Sequence, residues 1–523
     1  MSNIQLTQAL HRAARLHRDR IATVCGDRRR TYAEFGERVA RAAAALHALG
    51  VRAGDRVGIL SMNSDRFLEL LFATWWAGGV VNPVNTRWVS REIAYSLDDC
   101  ETRILAVDDS FAKLVPDITS RSRSLRTVLH IGDGIAPAGM FAYESLLAEH
   151  APMADARRSG DDLAGVFYTG GTTGAPKGVM LSHANLWSSA MSGLSENLVG
   201  SQDIGLHAAP MFHLADGTYT VMLSLRAATQ VIVPSFTPEG VMQVIQAEGV
   251  TSSLLVPTMI QMLVDHPALA TYRMDSLRTV VYGASAISEA VLDRAMVRLP
   301  LASFVQAYGQ TEMSPLVSVL ARDFHRGEGR ARGKLRSAGR PITGVEVRIV
   351  DAEDREVPAG TVGEITVRGP GMMQGYWNQA TQTAAALRDG WLFTGDGAYI
   401  DEDGFLFIVD RMKDMIVTGG ENVFSAEVEN AIAQHPAVAA CAVIGIPSPQ
   451  WGEAVHAVIV RKPADPNALD ADQILAHCRG LISGYKCPRS VEFREALPLS
   501  GAGKVLKTVL REPWWAEQAR KVG

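Results

Sequence analysis

The chain of 523 residues is 47% apolar and 20% charged, with a formal net charge of -5. That length holds two or more domains around a substantial core, in the composition of an ordinary soluble globular protein. The mild acidity argues against a dedicated nucleic-acid binder, and the longest apolar stretch, Leu70 to Val81, is too short to cross a bilayer.

In chain order, the first helix signal is the capping box Thr31 to Glu34. Phe35, Val39, Ala43, Leu46 and Leu49 follow at helical spacing, and Gly50 stands where a C-terminal cap falls. Arg56 to Leu60 reads as a strand. Short apolar runs then alternate with helix-like segments; Ile104 to Val107, Thr127 to Ile131, Gln230 to Val233, Ser253 to Val256 and Thr279 to Tyr282 are strand candidates. This alternation predicts α/β layering with largely parallel sheets, which bind ligands at the carboxyl ends of their strands. Further on, Val345 to Val350 and Gly363 to Arg368 alternate in polarity, which predicts an antiparallel β region. Past Asp410, a helix over 426–434, a strand over 439–446 and the run 454–460 predict a compact α+β unit. The expected class is therefore α/β: a large N-terminal domain of layered sheets plus a β-rich subdomain, residues 1–410, and a small α+β C-terminal domain, residues 411–523.

One loop stands out. Tyr168 to Gly178 gathers Gly170, Gly171, Gly174 and Gly178 with Thr169, Thr172, Thr173 and the single cation Lys177. Glycines let backbone N–H groups approach an anion, and the hydroxyls and lysine add donors, so the loop suits a polyphosphate. It is not a Walker A loop, since no Gly-Lys pair in the chain is followed by Ser or Thr. Leu163 to Tyr168 reads as the buried strand that delivers it. Other loops follow strands in the same way: Gly283 to Ala286, and Tyr308 to Glu312, where Glu312 offers a carboxylate suited to Mg²⁺. Alone, Glu312 reads as a surface cap or ion pair. Asp396, in Trp391 to Gly397, is expected in a tight turn, either bonding its own backbone or accepting from a ribose. Arg411 to Asp414 reads as a solvated hinge or ion-pair patch. Leu499 to Lys504 is a second small-residue turn with one lysine, and His213, in the apolar run Pro210 to Leu214, reads alone as a core histidine.

The five cysteines are scattered, with no Cys-x-x-Cys pair, which argues against a zinc site or disulfide framework and points to the reducing cytoplasm. The first residues show no basic segment followed by an apolar one, so no signal peptide is expected. Peripheral membrane contact stays open.

Taken together and in order, Tyr168 to Gly178, Pro210 to His213, Tyr282 to Ala284, Tyr308 to Glu312, Trp391 to Asp396, Asp410 to Asp414 with Val417 to Asn422, and Gly503-Lys504 resemble the adenylate-forming superfamily. Within it the chain looks like a fatty or aryl acid CoA ligase (acyl-CoA synthetase). The resemblance implies a small C-terminal domain that rotates between two half-reactions: acyl-AMP formation from a carboxylate and ATP, then transfer of the acyl group to coenzyme A. It implies that Thr169, Gly170, Gly171, Thr172, Thr173, Gly174 and Lys177 serve the β- and γ-phosphates. Glu312 ligates Mg²⁺, Thr311 touches the α-phosphate, and Gly283, Ala284 and Tyr308 frame the adenine. Asp396 and Arg411 bind the ribose. Lys504 bridges the attacking carboxylate and the α-phosphate, and His213 joins Lys504, Glu312 and Thr311 as a catalytic position. Gly419 and Gly420 flank the pantetheine tunnel, and Lys413 is the hinge. ATP, Mg²⁺ and coenzyme A are thus the expected cofactor and co-substrates, and a carboxylic acid the partner, with a homodimer one candidate assembly.

Two departures from the family pattern bear on affinity and specificity. Gly170 stands where many relatives carry serine, removing one side-chain donor. Leu214, Ala215, Asp216 and Gly217 are small or short where aryl-acid ligases often carry bulk, which suggests room for a longer or wider acyl group; Asp216 disfavours an anionic distal group if it faces the pocket. Met259, Met313, Met372 and Met373 read as core, with adaptable pocket lining as the other reading. The rival outcomes of the same fold are transfer to a carrier protein in trans, a luciferase-like oxygenation, or a catalytically inactive scaffold. Which acid is used is not legible.

Overall fold

The computed structural model describes residues 3–169, 176–285, 287–411, 414–419, 421–462, 469–501 and 505–519, with residues 411, 422 and 516–519 as backbone alone. Its first sheet runs, in spatial order, Gly375–Tyr376, Lys177–Ser182, Leu163–Thr169, Val80–Pro83, Arg56–Leu60, Ile104–Val107, Thr127–His130 and Phe141–Ala142. From Leu163–Thr169 to Phe141–Ala142 all neighbours are parallel. Ile104–Val107 and Val80–Pro83 are buried at every position, as strands covered on both faces must be. A second sheet orders Arg340–Pro341, Leu316–Leu320, Ser303–Gly309, Thr279–Gly283, Ser252–Leu255, Ile204–His207, Thr229–Ile232, Ile21–Cys25 and Arg28–Thr31. Its middle, from Ser303–Gly309 to Ile21–Cys25, is parallel.

Helices fill the space between and around these sheets. The capping box forms as expected: Thr31 N–H donates to Glu34 Oε2 at 2.8 Å, and Glu34 N–H donates to Thr31 Oγ1 at 3.2 Å. The helix spans Tyr32–Ala48 and stops before Gly50, whose φ of +100° continues no right-handed helix. The apolar run from Leu70 is half of the buried helix Asp65–Trp76 and the start of strand Val80–Pro83. The helix Leu214–Leu225 packs on His183–Ser195 and is buried along most of its length.

A third, antiparallel sheet joins Glu346–Val350, Gly363–Arg368, Trp391–Ile400 and Leu387–Arg388, with Leu406–Arg411 on the other side of Trp391–Ile400. The small C-terminal domain is built on Glu421–Val423, Ile416–Thr418, Gly452–Arg461 and Val438–Ser448, with Ser490–Arg494 added in parallel, and with helices Ser425–Ala433, Ala471–Arg479 and Lys507–Ala519. It has its own core of Ile416, Val428, Ile432, Val443, Val455, Ile459 and Ile474. The α/β class, the large N-terminal domain and the smaller C-terminal one are as expected. Met313 and Met373 are buried in the main core, and Met259 and Met372 pack against cores, which makes packing their role. All five cysteines are free thiols. No helix among the described residues is long and apolar enough to cross a membrane.

Candidate active site

The phosphate-loop strand pair is a hairpin. Leu163–Thr169 and Lys177–Ser182 run antiparallel, with Thr169 directly opposite Lys177 at the base of the loop. Residues 170–175, with Gly170, Gly171, Thr172, Thr173 and Gly174, lie outside the described residues. The base is anchored from the side: Tyr168 hydroxyl donates to Asp99 Oδ2 at 2.6 Å, and burial raises its pKa. Trp377 Nε1 and Asn378 Nδ2 both donate to the Asp99 carbonyl.

Pairing beyond the hairpin brings in residues that motif reading missed. Gly375–Tyr376 adds to the far edge of Lys177–Ser182, and Trp377 N–H donates to the Gly178 carbonyl at 2.7 Å. This register places the Tyr376 ring 4.8 Å from Lys177 Nζ. On its other side, Met373 N–H donates to the Glu312 carbonyl at 2.8 Å, and Tyr376 hydroxyl donates to Glu312 Oε1 at 2.9 Å. Tyr376 thus spans from the lysine of one motif to the carboxylate of another. The Gly-Tyr-Trp run at 375–377 is its sole trace in the sequence.

Glu312 and Thr311 sit in a single 3₁₀ turn, Thr311–Met313, just after strand Ser303–Gly309. Both are half-buried. Tyr308, at the end of that strand, donates from its hydroxyl to Asp396 Oδ2 at 2.7 Å. Beside it in the sheet, Gly283 pairs with Ala307, and a Cβ at 283 meets the Ala307 carbonyl oxygen at 2.0 Å, so only glycine fits. Ala284 follows with φ +66°, exposed at the strand's end. Asp396 is not in a tight turn: Trp391–Ile400 is one continuous strand, bent where Gly395 takes φ +71°, and Asp396 is registered opposite Arg411. The register with Gly363–Arg368 shifts here, so residues 394–396 bulge from that ladder while Asp396 and Gly397 pair with Leu406–Arg411, and the strand continues where local composition suggests a turn.

His213 is the N-cap of helix Leu214–Leu225 and stacks on Phe212 with ring centroids 4.2 Å apart. Asp216 is fully buried with Oδ1 2.7 Å from His207 Nδ1, so its carboxylate is engaged inside the fold. Gly419, at φ +61°, tips the hairpin of Ile416–Thr418 and Glu421–Val423, and a Cβ there meets the Trp451 ring at 2.9 Å. Gly420, Lys413, Lys504 and the Arg411 side chain lie outside the described residues. Flanking Lys504 on the described residues, Arg87 Nη1 donates to the Ser500 carbonyl at 2.6 Å, and Leu499 bridges Val505.

Thr169, Lys177, Glu312, Thr311, Tyr308, Gly283 and Ala284 therefore come from distant segments to strand ends and the loops beyond them, where layered α/β sheets hold ligands, and Asp396 joins them from within a strand through Tyr308. Comparison with known proteins gives the family. Residues 10–377 match the AMP-binding enzyme family and residues 427–504 the AMP-binding enzyme C-terminal domain. A feruloyl-CoA synthase from an Amycolatopsis species is 40% identical over 505 residues, covering 96% of this chain and 97% of that protein. The fatty acid–[acyl-carrier-protein] ligase ScoC of Streptomyces coeruleorubidus is 35% identical over 509 residues, 96% of this chain and 95% of that one. The crystal structure of the anthranilate CoA ligase AuaEII in complex with anthranoyl-AMP superposes with a TM-score of 0.92 at 27% identity, over 98% of each chain. The chain belongs to the AMP-binding enzyme family, in the adenylate-forming superfamily of acyl-CoA synthetases.

Proposed function

We propose that the protein is an ATP-dependent carboxylate–CoA ligase: it joins a fatty or aryl carboxylic acid to AMP with release of pyrophosphate, then passes the acyl group to the thiol of coenzyme A. The observation that carries this reading is the convergence of Lys177, Tyr376 and Glu312 beside the Tyr308–Asp396 bond, on a chain of this family.

A carboxylate and ATP repel, and attack at the α-phosphorus builds charge on the phosphoryl oxygens; fixed cations and donors stabilise that state. Thr169, the 170–174 loop and Lys177 hold the β- and γ-phosphates. Gly283, Ala284 and Tyr308 receive the adenine, and Asp396 with Arg411 the ribose hydroxyls. Thr311 meets the α-phosphate, and Lys504 draws the acid's carboxylate to it. Glu312 offers Mg²⁺ a carboxylate oxygen, the ligand type that ion takes, held by Tyr376, whose ring also meets Lys177 at the base of the phosphate loop. When bound, Mg²⁺ neutralises phosphate charge. Glu312 holds it, and Tyr376 fixes the Glu312 rotamer.

The second half-reaction uses the other face of the small domain. We place the division at 410–411 with Lys413 as hinge, so that rotation exchanges the Lys504 turn for the Gly419–Gly420 tip, where coenzyme A's thiol approaches. We also propose a cytoplasmic location and a homodimeric assembly. The test is release of AMP with a panel of fatty, benzoic and cinnamic acids, with and without coenzyme A. AMP release that needs both acid and coenzyme A is expected; none with any acid sinks the reading. A pantetheinylated carrier outcompeting coenzyme A in the same assay would overturn the coenzyme A step in favour of transfer to a carrier protein, the acceptor that ScoC's name gives for that protein.

A further inference from the structure

The loop that carries Pro210 to His213 is fastened at both ends and in its middle. Its ends are closed by side chains: His207, the last residue of strand Ile204–His207, has Nδ1 2.7 Å from Oδ1 of Asp216 in the first turn of Leu214–Leu225, and both residues are fully buried. The imidazole is held on its other edge by Gln230, whose Oε1 is 3.1 Å from His207 Nε2, and Tyr219 packs edge-on at 5.6 Å. The middle is pinned by Asn63, which reaches in from beyond strand Arg56–Leu60. Its Nδ2 donates to the Ala209 carbonyl at 2.9 Å, and its Oδ1 accepts from Met211 N–H at 2.8 Å. Asn63 is buried and is itself tied through its own N–H to the Pro234 carbonyl.

An irregular buried loop needs partners for its backbone groups, and one amide serving a C=O and an N–H two residues apart replaces a strand neighbour. A buried carboxylate and imidazole are costly to desolvate, and an apolar pair closes a loop at less cost. What the polar pair adds is a tie of fixed length and direction. Two residues beyond Met211 stands His213, a catalytic position by the family resemblance, at the head of the Leu214 to Gly217 stretch that the same resemblance sets against the acyl group. Tyr308, Asp396 and Glu312 lie on other segments.

We propose that Asn63, His207 and Asp216 are positioning residues for the acid half of adenylation: they hold the 208–215 loop so that His213 meets the carboxylate in one place. This rests on the carboxylate-activating function proposed above. Asp216 Oδ2 has no partner among the described residues, so Asp216→Asn weakens the tie at nearly constant shape.

The test is carboxylate-dependent exchange of labelled pyrophosphate into ATP, with KM determined separately for acid and for ATP, on Asn63→Ala and Asp216→Asn. We expect kcat/KM for the acid to fall by about 10- to 100-fold, as for a group misplaced by a fraction of an ångström to one ångström, with KM for ATP held within about twofold. Equal losses toward acid and ATP, or a fall in kcat alone that follows the folded fraction, overturns the proposal. Should Asn63→Ala fail to fold, the isosteric Asp216→Asn decides by the same split. Absence of exchange in the unaltered enzyme with every acid rejects the adenylation reading itself; exchange there with unchanged acid parameters in the variants rejects the positioning role alone.

Discussion

Every residue of the helix Asp65–Trp76 is buried, and three of them, Asp65, Arg66 and Glu69, are charged. Each is met by several donors or acceptors: Arg38 grips both oxygens of Glu69 at 2.6 and 2.9 Å and reaches Glu144 as well, Arg28 takes Asp65, and Tyr143 donates to Glu69. The turn at 499–501 is held in the opposite manner. There the exposed Arg87 donates to one backbone carbonyl, and elsewhere along the seam Gln261 donates to the Ala439 carbonyl at 2.9 Å. Under the proposed rotation of the small domain, the Arg87 and Gln261 bonds are ones that break and re-form, whereas the multiple ties of the buried helix persist. The contrast separates a frame of buried, multiply bonded charge from the face that the small domain presents to the large one.

The fastened side is the place to expect the largest loss. Arg38→Met leaves the Glu69 carboxylate buried and short of its bidentate partner, and burial already raises its pKa above the ordinary value. A cost of about 3–5 kcal/mol in urea unfolding is expected, with part recovered in Arg38→Met/Glu69→Gln, where the stranded charge is gone. A cost below about 1 kcal/mol is inconsistent with a frame held by charge. On the moving side, Lys504→Ala is expected to slow acyl-AMP formation by roughly 100- to 1,000-fold and to spare thioester formation from supplied acyl-AMP. Equal loss in both half-reactions means that Lys504 does not act only in the first.

Histidines sharpen the contrast through pH. Burial pushes His325 down to about 4 from an ordinary 6.5. The contacts agree with a neutral ring: Nδ1–H donates to the Ala321 carbonyl, and Nε2 accepts from the Tyr282 hydroxyl at 2.9 Å. His183 is likewise pushed down to about 4 by burial, with Nδ1 accepting from Leu6 N–H. Because the unfolded chain binds these protons first, stability is full above pH 6.5 and falls as pH drops toward 4. The slope is at most about 1.4 kcal/mol per unit for each histidine, and His325→Gln should remove one such increment from unfolding curves taken across that window. An unchanged slope in the variant means that His325 is not held neutral. It sits beside Tyr282, so the same protonation loosens the strand end that carries Gly283.

Much of the frame was legible before the structure because buried parallel strands are short apolar runs; Arg56–Leu60 and Ile104–Val107 have the expected ends, and Ser252–Leu255 is displaced by one residue. The capping box at Thr31 was equally readable, since its partners are three residues apart. What stayed hidden depends on long-range pairing. Tyr376 meets Glu312 across 64 positions and Asn63 meets Ala209 across 146, and neither belongs to a periodic or glycine-rich signal. Asp396 misled in the other direction: Thr-Gly-Asp-Gly has turn composition, and the structure makes of it a bulge within a strand that pairing with Leu406–Arg411 carries on. For Asp216 the family resemblance raised only the question of whether it faces the acyl group, and its engagement with His207 needed the strand and helix to be docked.

The smallest expected effect tests the seam directly. Arg87 is exposed, and its bond to the Ser500 carbonyl exchanges with water, so its net worth is of order 1 kcal/mol. Removing it biases the small domain away from the orientation that brings the Lys504 turn to the large one, without altering a group that touches substrate. Arg87→Ala should therefore lower the rate of acyl-AMP formation by about 2- to 10-fold and leave thioester formation from supplied acyl-AMP unchanged or faster. Gln261→Ala, at the Ala439 end of the same seam, should move both rates in the same directions by a similar factor. If either substitution slows both half-reactions alike, the seam stabilises the fold as a whole instead of one orientation, and the contrast with Asp65–Trp76 collapses to a difference of degree.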